Sequence, residues 1–266
     1  NVTYNKMTAI DVSATIAAVI KDESISSFFR QITDEKFAVT GDDLLKISET
    51  FHLVGGHKFM GRYNPMGPSH GPGFVQEYTN AIRKFTIADD GTTLSVSHLA
   101  EIVDADQFHR RDYNVVPQIT PNGEQGATAF SGVFQRDVDL PFLNCVNIDS
   151  VSYTPNLDFA QYYNHYHCAH IPLYDTQSQS MHTLFFGGIA QYYDDNGTLV
   201  QDDDVPFVNT IARVTRDSDG RMREYKLPIT MPSLLGAGSE FIAVENLPTF
   251  PNDVINLNAL GTERTL

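Results

Sequence analysis

Two apolar runs, each closed by a pair of glycines, constrain this chain more than any other feature: "FHLVGG" at 51–56 and "LFFGG" at 184–188. A strand that ends on residues without Cβ is one whose backbone meets another backbone closely or turns through positive φ. One such ending is a local matter. The same ending at two distant places points to a repeated unit.

Repetition runs through the chain. An Asn, one residue and then an apolar residue recur in "YNKMTAIDV" (4–12), "TNAIRKFTI" (79–87), "LNCVNIDSV" (143–151) and "VNTIARVTR" (208–216), which sets Asn5, Asn80, Asn144 and Asn209 at intervals of 75, 64 and 65 residues. A second set, "FAV" (37–39), "NVV" (114–116), "AHI" (169–171) and "IAV" (242–244), predicts short buried strands. About 15 residues after each of the first three comes a strand ending in Gly: at Gly55 and Gly56, at Gly132 in "AFSGVF", and at Gly187 and Gly188. The order is constant: inner strand, glycine-ended strand, Asn-led strand, and in at least two repeats an alternating strand such as "TLSVSHLAEI" (93–102) or "MREYKLPI" (222–229).

Four antiparallel strands at this period predict an all-β fold, a β-propeller whose blades bury their faces against their neighbours. Composition agrees with it. The 266 residues are 41% apolar, enough for a substantial core, and the 13 Pro and 18 Gly are dispersed as turns between short strands. Long helices are not expected. An ordinary β-sandwich with coincidental glycine pairs is the rival architecture.

The glycine pairs resemble those of the kelch-type β-propellers, where such a pair closes the second strand of each blade, and the likeness is greatest to secreted kelch-like propellers of bacteria. The resemblance implies four-stranded antiparallel blades: a partial blade at 1–33, full blades at 34–108, 109–164 and 165–236, and a partial blade at 237–266. The chain departs from that pattern in having no Trp, only Gly132 in its second repeat, and repeats longer than is typical. Either the two end segments share one closing blade of a four-bladed ring, or the remaining blades are missing from this chain or carried by another one. The second is expected, because no glycine-ended strand follows Val244.

The net charge of −15 repels a phosphate backbone and an anionic membrane surface alike, so nucleic acid is not an expected partner. No apolar run approaches the roughly 20 residues of a membrane-spanning helix. The start at Asn1-Val2-Thr3 lacks an initiator Met and a basic-then-apolar leader, and reads as a processed or excised chain. Cys145 and Cys168 have no metal-ligand spacing and are either buried thiols or one disulfide.

The predicted connections differ between the two faces of the fold. "GDDLLK" (41–46), "ADDGTT" (88–93), "TPNGEQG" (120–126) and "DSDG" (217–220) read as compact hairpin turns on one face. Long loops rich in aromatic, His and Arg residues, at 57–78, 103–112, 153–167 and 190–207, fall on the other, where binding sites are usually carried. The ligand-binding candidates lie there: His57, Arg62 and Tyr63, then His109, Arg110, Arg111 and Asp112, then His165, Tyr166 and His167. The last two clusters each precede an inner strand and are expected at the mouth of a central channel. Arg and aromatic groups suit a carboxylate or a sugar.

His165 and His167 share a face on an extended strand, a spacing that a transition metal uses, and the acidic run from Asp194 to Asp204 is a calcium candidate that fails the EF-hand register. Neither pattern is strong enough to predict a metal, and no cofactor is expected. Walker A, GxSxG, HExxH and Rossmann glycine signatures are absent from the sequence. The expected function is therefore a non-enzymatic propeller, extracellular or on a bacterial cell surface, that binds a protein partner or a glycan through its long-loop face. The resemblance also implies an alternative, a carbohydrate-active enzyme such as a sugar oxidase or sialic acid mutarotase. Arg110, Arg111, His165 and His167 would then hold an acidic sugar and move protons.

Overall fold

The structure is a computed structural model that describes residues 1–62 and 73–261. The chain opens with β1 (Lys6–Ile10), a helix α1 (Val12–Ile20) and β2 (Phe29–Thr33), the two strands forming an antiparallel pair. Asp11 caps α1 by accepting the Ala14 N–H at 2.9 Å. Next come β3 (Asp43–Ile47), β4 (Thr50–Val54), a hairpin of β5 (His57–Gly61) and β6 (Phe74–Tyr78), then β7 (Ala81–Asp89), β8 (Leu94–His98) and β9 (Ile102–Val103). β10 (Asn114–Ile119), β11 (Gln125–Phe130), β12 (Cys145–Ile148) and β13 (Tyr153–Asn156) follow. The last group is β14 (His170–Asp175), β15 (Ser180–Phe186), a hairpin of β16 (Tyr192–Asp195) and β17 (Thr198–Gln201), β18 (Thr210–Arg216), β19 (Met222–Thr230) and β20 (Ile255–Asn256).

Three antiparallel meanders result, ordered β3-β4-β7-β8, β10-β11-β12-β13 and β14-β15-β18-β19, while β9 adds to β7 and β20 runs parallel to β14. Asn80, Asn144 and Asn209 each stand immediately before the third strand of a meander, and Asn5 stands before β1. The stretches read from sequence as compact hairpins at 88–93, 120–126 and 217–220 contain the turns that join β7 to β8, β10 to β11 and β18 to β19.

Position in the meander matches the composition of each strand. β10 is buried at five of its six residues, whereas β19, the last strand of its meander, alternates and exposes Arg223, Tyr225 and Lys226. Pro117 and Pro172 sit at corresponding places on the first strands, where a missing N–H breaks no ladder, since neither residue has a partner on its second side.

The meanders pack face to face in series. Met7 and Ile32 of the opening pair pack with Phe37, Leu53 and Phe85. Ile47, Val54 and Ile82 of the first meander meet Val115, Ala129 and Val146 of the second, and Val116, Phe130 and Cys145 meet Phe185 and Val214 of the third. A two-sheet sandwich would have one interlayer core rather than this succession. Among the described residues the series does not close on itself, because the β1-β2 pair shares no strand pairing with the segment after β19.

Backbone hydrogen bonds between meanders repeat as regularly as the strands. Both residues of each glycine pair have positive φ: Gly55 and Gly56 at 58° and 76°, Gly187 and Gly188 at 67° and 86°. The second repeat, with only one glycine, holds the same shape, with Ser131 at 50° and Gly132 at 109°. Ser131 Oγ donates to Phe142 O at 2.8 Å, which gives its buried hydroxyl a partner. Gly56 and Gly132 donate their N–H to the segment ahead of the next first strand, at Arg110 O (2.7 Å) and His165 O (3.2 Å), and Gly188 donates to Leu235 O (3.1 Å) in the segment after β19. A further series links Asp112 N–H to Gly41 O (2.8 Å), His167 N–H to Asp112 O (3.0 Å) and Gly238 N–H to His167 O (2.8 Å).

Four sequence expectations are corrected. "FAV" at 37–39 is not a strand, because Asp34 accepts the Lys36 N–H (2.9 Å) and caps a single turn of 3-10 helix over Glu35–Phe37. The first strand of that meander lies in the "GDDLLK" stretch, read from sequence as a turn. "IAV" at 242–244 forms no strand and leaves Ile242 87% exposed, since no neighbouring strand covers it. The long loop expected over 153–167 begins with β13. Cys145 and Cys168 are both free and buried, which settles the two readings in favour of thiols. Burial pushes each thiol up to about 12, so neither is a reactive nucleophile.

A Cβ on Gly187 would drive into the Leu235 carbonyl oxygen, and its φ is one that L side chains rarely adopt. Gly187→Ala is expected to cost at least about 2 kcal/mol in urea unfolding. Ser131→Gly should be close to neutral, because relief of positive φ offsets the lost hydrogen bond, each worth about 1 kcal/mol.

Candidate functional site

The connections from second to third strands and from one meander to the next converge at one end of the series. There they line an open cavity of about 730 Å³ whose residues include Val2, Tyr4, Phe37, His57, Phe59, Gln76, Arg111, Asp112, Phe134 and Tyr166. A second cavity of about 300 Å³ shares Asp112 and Tyr166 and adds Asp42, Asp43, His167 and Glu240. The hairpin turns at Thr120–Glu124 and Asp149–Ser152 line a different cavity of about 440 Å³. These two turns lie apart from the long-loop candidates, whereas Gly41, Asp42 and Asp43 of the stretch read as a turn at 41–46 share the smaller cavity with Asp112, Tyr166 and His167.

Arg111 is held in the larger cavity by several groups at once. Its Nε donates to Tyr78 Oη (2.8 Å), its Nη1 to Asp112 Oδ2 (3.0 Å), and its guanidinium lies 5.4 Å from the centre of the Phe134 ring. Tyr78 in turn stacks on His109 with ring centroids 3.7 Å apart, and His109 Nδ1 is 2.9 Å from Asn80 Oδ1. Asp112 reaches both cavities from a backbone at φ 51°. His57 is buried beside Tyr78 and within 3.3 Å of Gln76 Nε2; burial and then the charge of Arg111 push its pKa down to about 4, so its ring is neutral at pH 7.

Two candidates face inward instead. Arg110 is fully buried, donating from Nε to Gln107 O (2.6 Å), from Nη1 to Ser131 O (2.5 Å) and Asn144 O (3.1 Å), and from Nη2 to Asn144 Oδ1 (3.0 Å), with Phe142 beneath it at 4.0 Å. Its charge serves carbonyls of its own meander. His165 is also fully buried: Nδ1 accepts the Gln191 N–H (3.0 Å), so Nε2 carries the proton and donates to Gln161 O (2.8 Å). Burial pushes its pKa down to about 4. His167 points elsewhere, pairing through Nε2 with Glu240 Oε1 at 3.0 Å, so the two histidines are not brought together as a metal pair. Arg62 is exposed and lines neither cavity, and Tyr63 lies outside the described residues.

Sequence reading missed Asp42, Asp43, Gln76, Phe134 and Glu240. Burial raises the pKa of Asp42 and pushes that of Asp43 up to about 6, although Asp43 Oδ2 accepts the Val115 N–H at 3.0 Å. Asp42 and Asp43 follow Gly41, whose carbonyl accepts the Asp112 N–H (2.8 Å), a contact between segments that the sequence does not mark. The acidic run at 194–204 is spent on local contacts: Asp194 pairs with Lys226 (2.8 Å) and Asp203 accepts from Gln191 (2.7 Å). Among the described residues no three His, Cys, Asp or Glu side chains are grouped to hold a metal ion. No described helix is long and apolar enough to cross a membrane. A scan against protein-family models and a search of curated proteins return no match for this chain.

Arg110→Ala leaves the Ser131 and Asn144 carbonyls without their donor and is expected to destabilise the fold by about 3–5 kcal/mol in denaturant titration, while His167→Ala costs under about 1 kcal/mol. His165 should titrate near pH 4 in ¹⁵N NMR spectra. Its folded pKa lies below the usual 6.5, so its contribution to stability is lost as pH falls from 6.5 to 4, by about 1.4 kcal/mol per unit.

Proposed function

We propose that the three meanders are successive blades of a propeller resembling the kelch type, and that the chain is a non-enzymatic binding module of an exported or cell-surface protein. Its ligand is a glycan bearing a carboxylate or vicinal hydroxyls. The observation that carries this reading is the cavity of about 730 Å³, which joins aromatic faces to the braced Arg111 guanidinium. Pockets of about 300–1,000 Å³ with an apolar lining and a few fixed polar groups suit a small ligand better than the flat surface of a protein. Repeated bonds between meanders support the propeller reading, and the resemblance supports export.

The enzyme reading draws less support. Of the four residues it needs, Arg110 and His165 are buried structural groups, while Arg111 and His167 line different cavities. These four residues do not meet around one position.

A glycan array probed with the purified chain is expected to give a defined set of acidic or polyhydroxylated hits. Arg111→Ala and Tyr166→Ala should weaken those hits about tenfold or more, with unfolding midpoints close to the parent. Hits unchanged by Arg111→Ala, or no hits beside a captured protein partner, would overturn the glycan reading.

A further inference from the structure

In an antiparallel pair, residues directly opposite one another exchange both backbone hydrogen bonds or neither, in alternation. The register of the opening pair sets Lys6 opposite Thr33 and Ile10 opposite Phe29, and at its two ends Asp34 N–H donates to Asn5 O (2.9 Å) and Asp11 N–H to Phe28 O (3.0 Å). The bonded positions are therefore Asn5, Met7, Ala9 and Asp11. The backbone N–H and C=O of Lys6, Thr8 and Ile10 point to the other edge of β1. No strand occupies that edge among the described residues, and all three side chains are exposed. A row of unpaired backbone groups on an edge is a template for another strand.

The repeat says which kind of strand. Each of the other Asn-led strands pairs with a glycine-ended strand: β7 with β4, β12 with β11 and β18 with β15. All three glycine-ended strands are already paired on both sides, so none can serve β1. Residues 63–72 and 262–266 contain no apolar run closed by a glycine pair.

The place for such a strand's end is also present. Arg110 O and His165 O, each two residues ahead of Asp112 and His167, accept the N–H of Gly56 and Gly132. The corresponding carbonyl ahead of β3 is that of Val39, two residues before Gly41, and it has no donor among the described residues. Val39 lines the larger cavity together with Asn1, Val2, Thr3, Tyr4 and Lys6, so that cavity extends from the mouth to the bare side of β1.

We propose that the free edge of β1 is an interaction surface for one kind of partner: an extended apolar strand, not among these 266 residues, that ends in two residues able to take positive φ. Its backbone pairs with Lys6, Thr8 and Ile10, and the N–H of its second terminal glycine bonds to Val39 O. The proposal rests on β1 being the third strand of an incomplete meander, not on what the mouth binds.

The probe is a fluorescein-labelled peptide, SMHTLFFGGI, which copies residues 180–189 of this chain. It is expected to bind saturably and to slow amide exchange at Lys6, Thr8 and Ile10 by about tenfold or more. Thr8→Pro removes one outward N–H without touching the bonds to β2, and should weaken peptide binding about tenfold while exchange at Arg30 and Ile32 stays as in the parent. A peptide with both glycines changed to Val should bind correspondingly less. Equal binding to Thr8→Pro, or no binding at about 1 mM peptide, would overturn the proposal. So would slow exchange at Lys6, Thr8 and Ile10 in the chain alone, which would mean that the edge is already covered, for instance by a second copy.

Discussion

One kind of backbone hydrogen bond ties the meanders into a series: the N–H of Gly56 and that of Gly132, each closing a second strand, reach the carbonyls of Arg110 and His165 just ahead of the next first strand. It forms only because both closing residues take positive φ, which turns the end of the strand toward its neighbour instead of continuing the ladder. Space at that point is short. A Cβ on Gly55 would come within 2.6 Å of Tyr113 Oη, and one on Gly56 within 2.6 Å of the Asp42 and Val39 side chains. The bond also gives a buried amide the partner it requires, so the same geometry that brings meanders together removes the cost of burying their ends.

The site end follows from this junction. The segment ahead of each first strand is pinned by its carbonyl, and its successive side chains then point in different directions. Arg110 and His165, whose carbonyls take the glycine N–H, send their side chains into the protein, where each finds backbone acceptors. Arg111 and Tyr166, one residue on, reach the larger cavity, and Asp112 and His167 reach the smaller one. The clusters "HRRD" and "HYH" each divide between core and mouth, with Arg110 and His165 buried and the two residues after each of them lining the cavities. A buried guanidinium is tolerated in the first case because its planar fork makes four hydrogen bonds to carbonyl oxygens.

Charge is handled by the same arrangement. The chain is strongly acidic, yet its mouth holds a fixed cation, Arg111, braced by a phenol and a carboxylate. His57 beside it is kept neutral by burial, so the charge fixed among the aromatic faces is that of Arg111.

The order of strands was legible in the sequence because its markers act locally. A glycine pair, an Asn before an apolar residue and an Asp-Gly turn each bias φ and ψ within a few residues, and the meanders appear where those markers stand. Local markers also misled where a competing local bond existed, as at Phe37, Ala38 and Val39, whose apolar run yields to the turn capped by Asp34. Ser131 in the place of a glycine, the inward turn of Arg110 and His165, the recruitment of Asp42 and Asp43 to a cavity and the bare edge of β1 were decided by tertiary structure alone. Each depends on what lies across an interface, and a residue's neighbours along the chain do not carry that information.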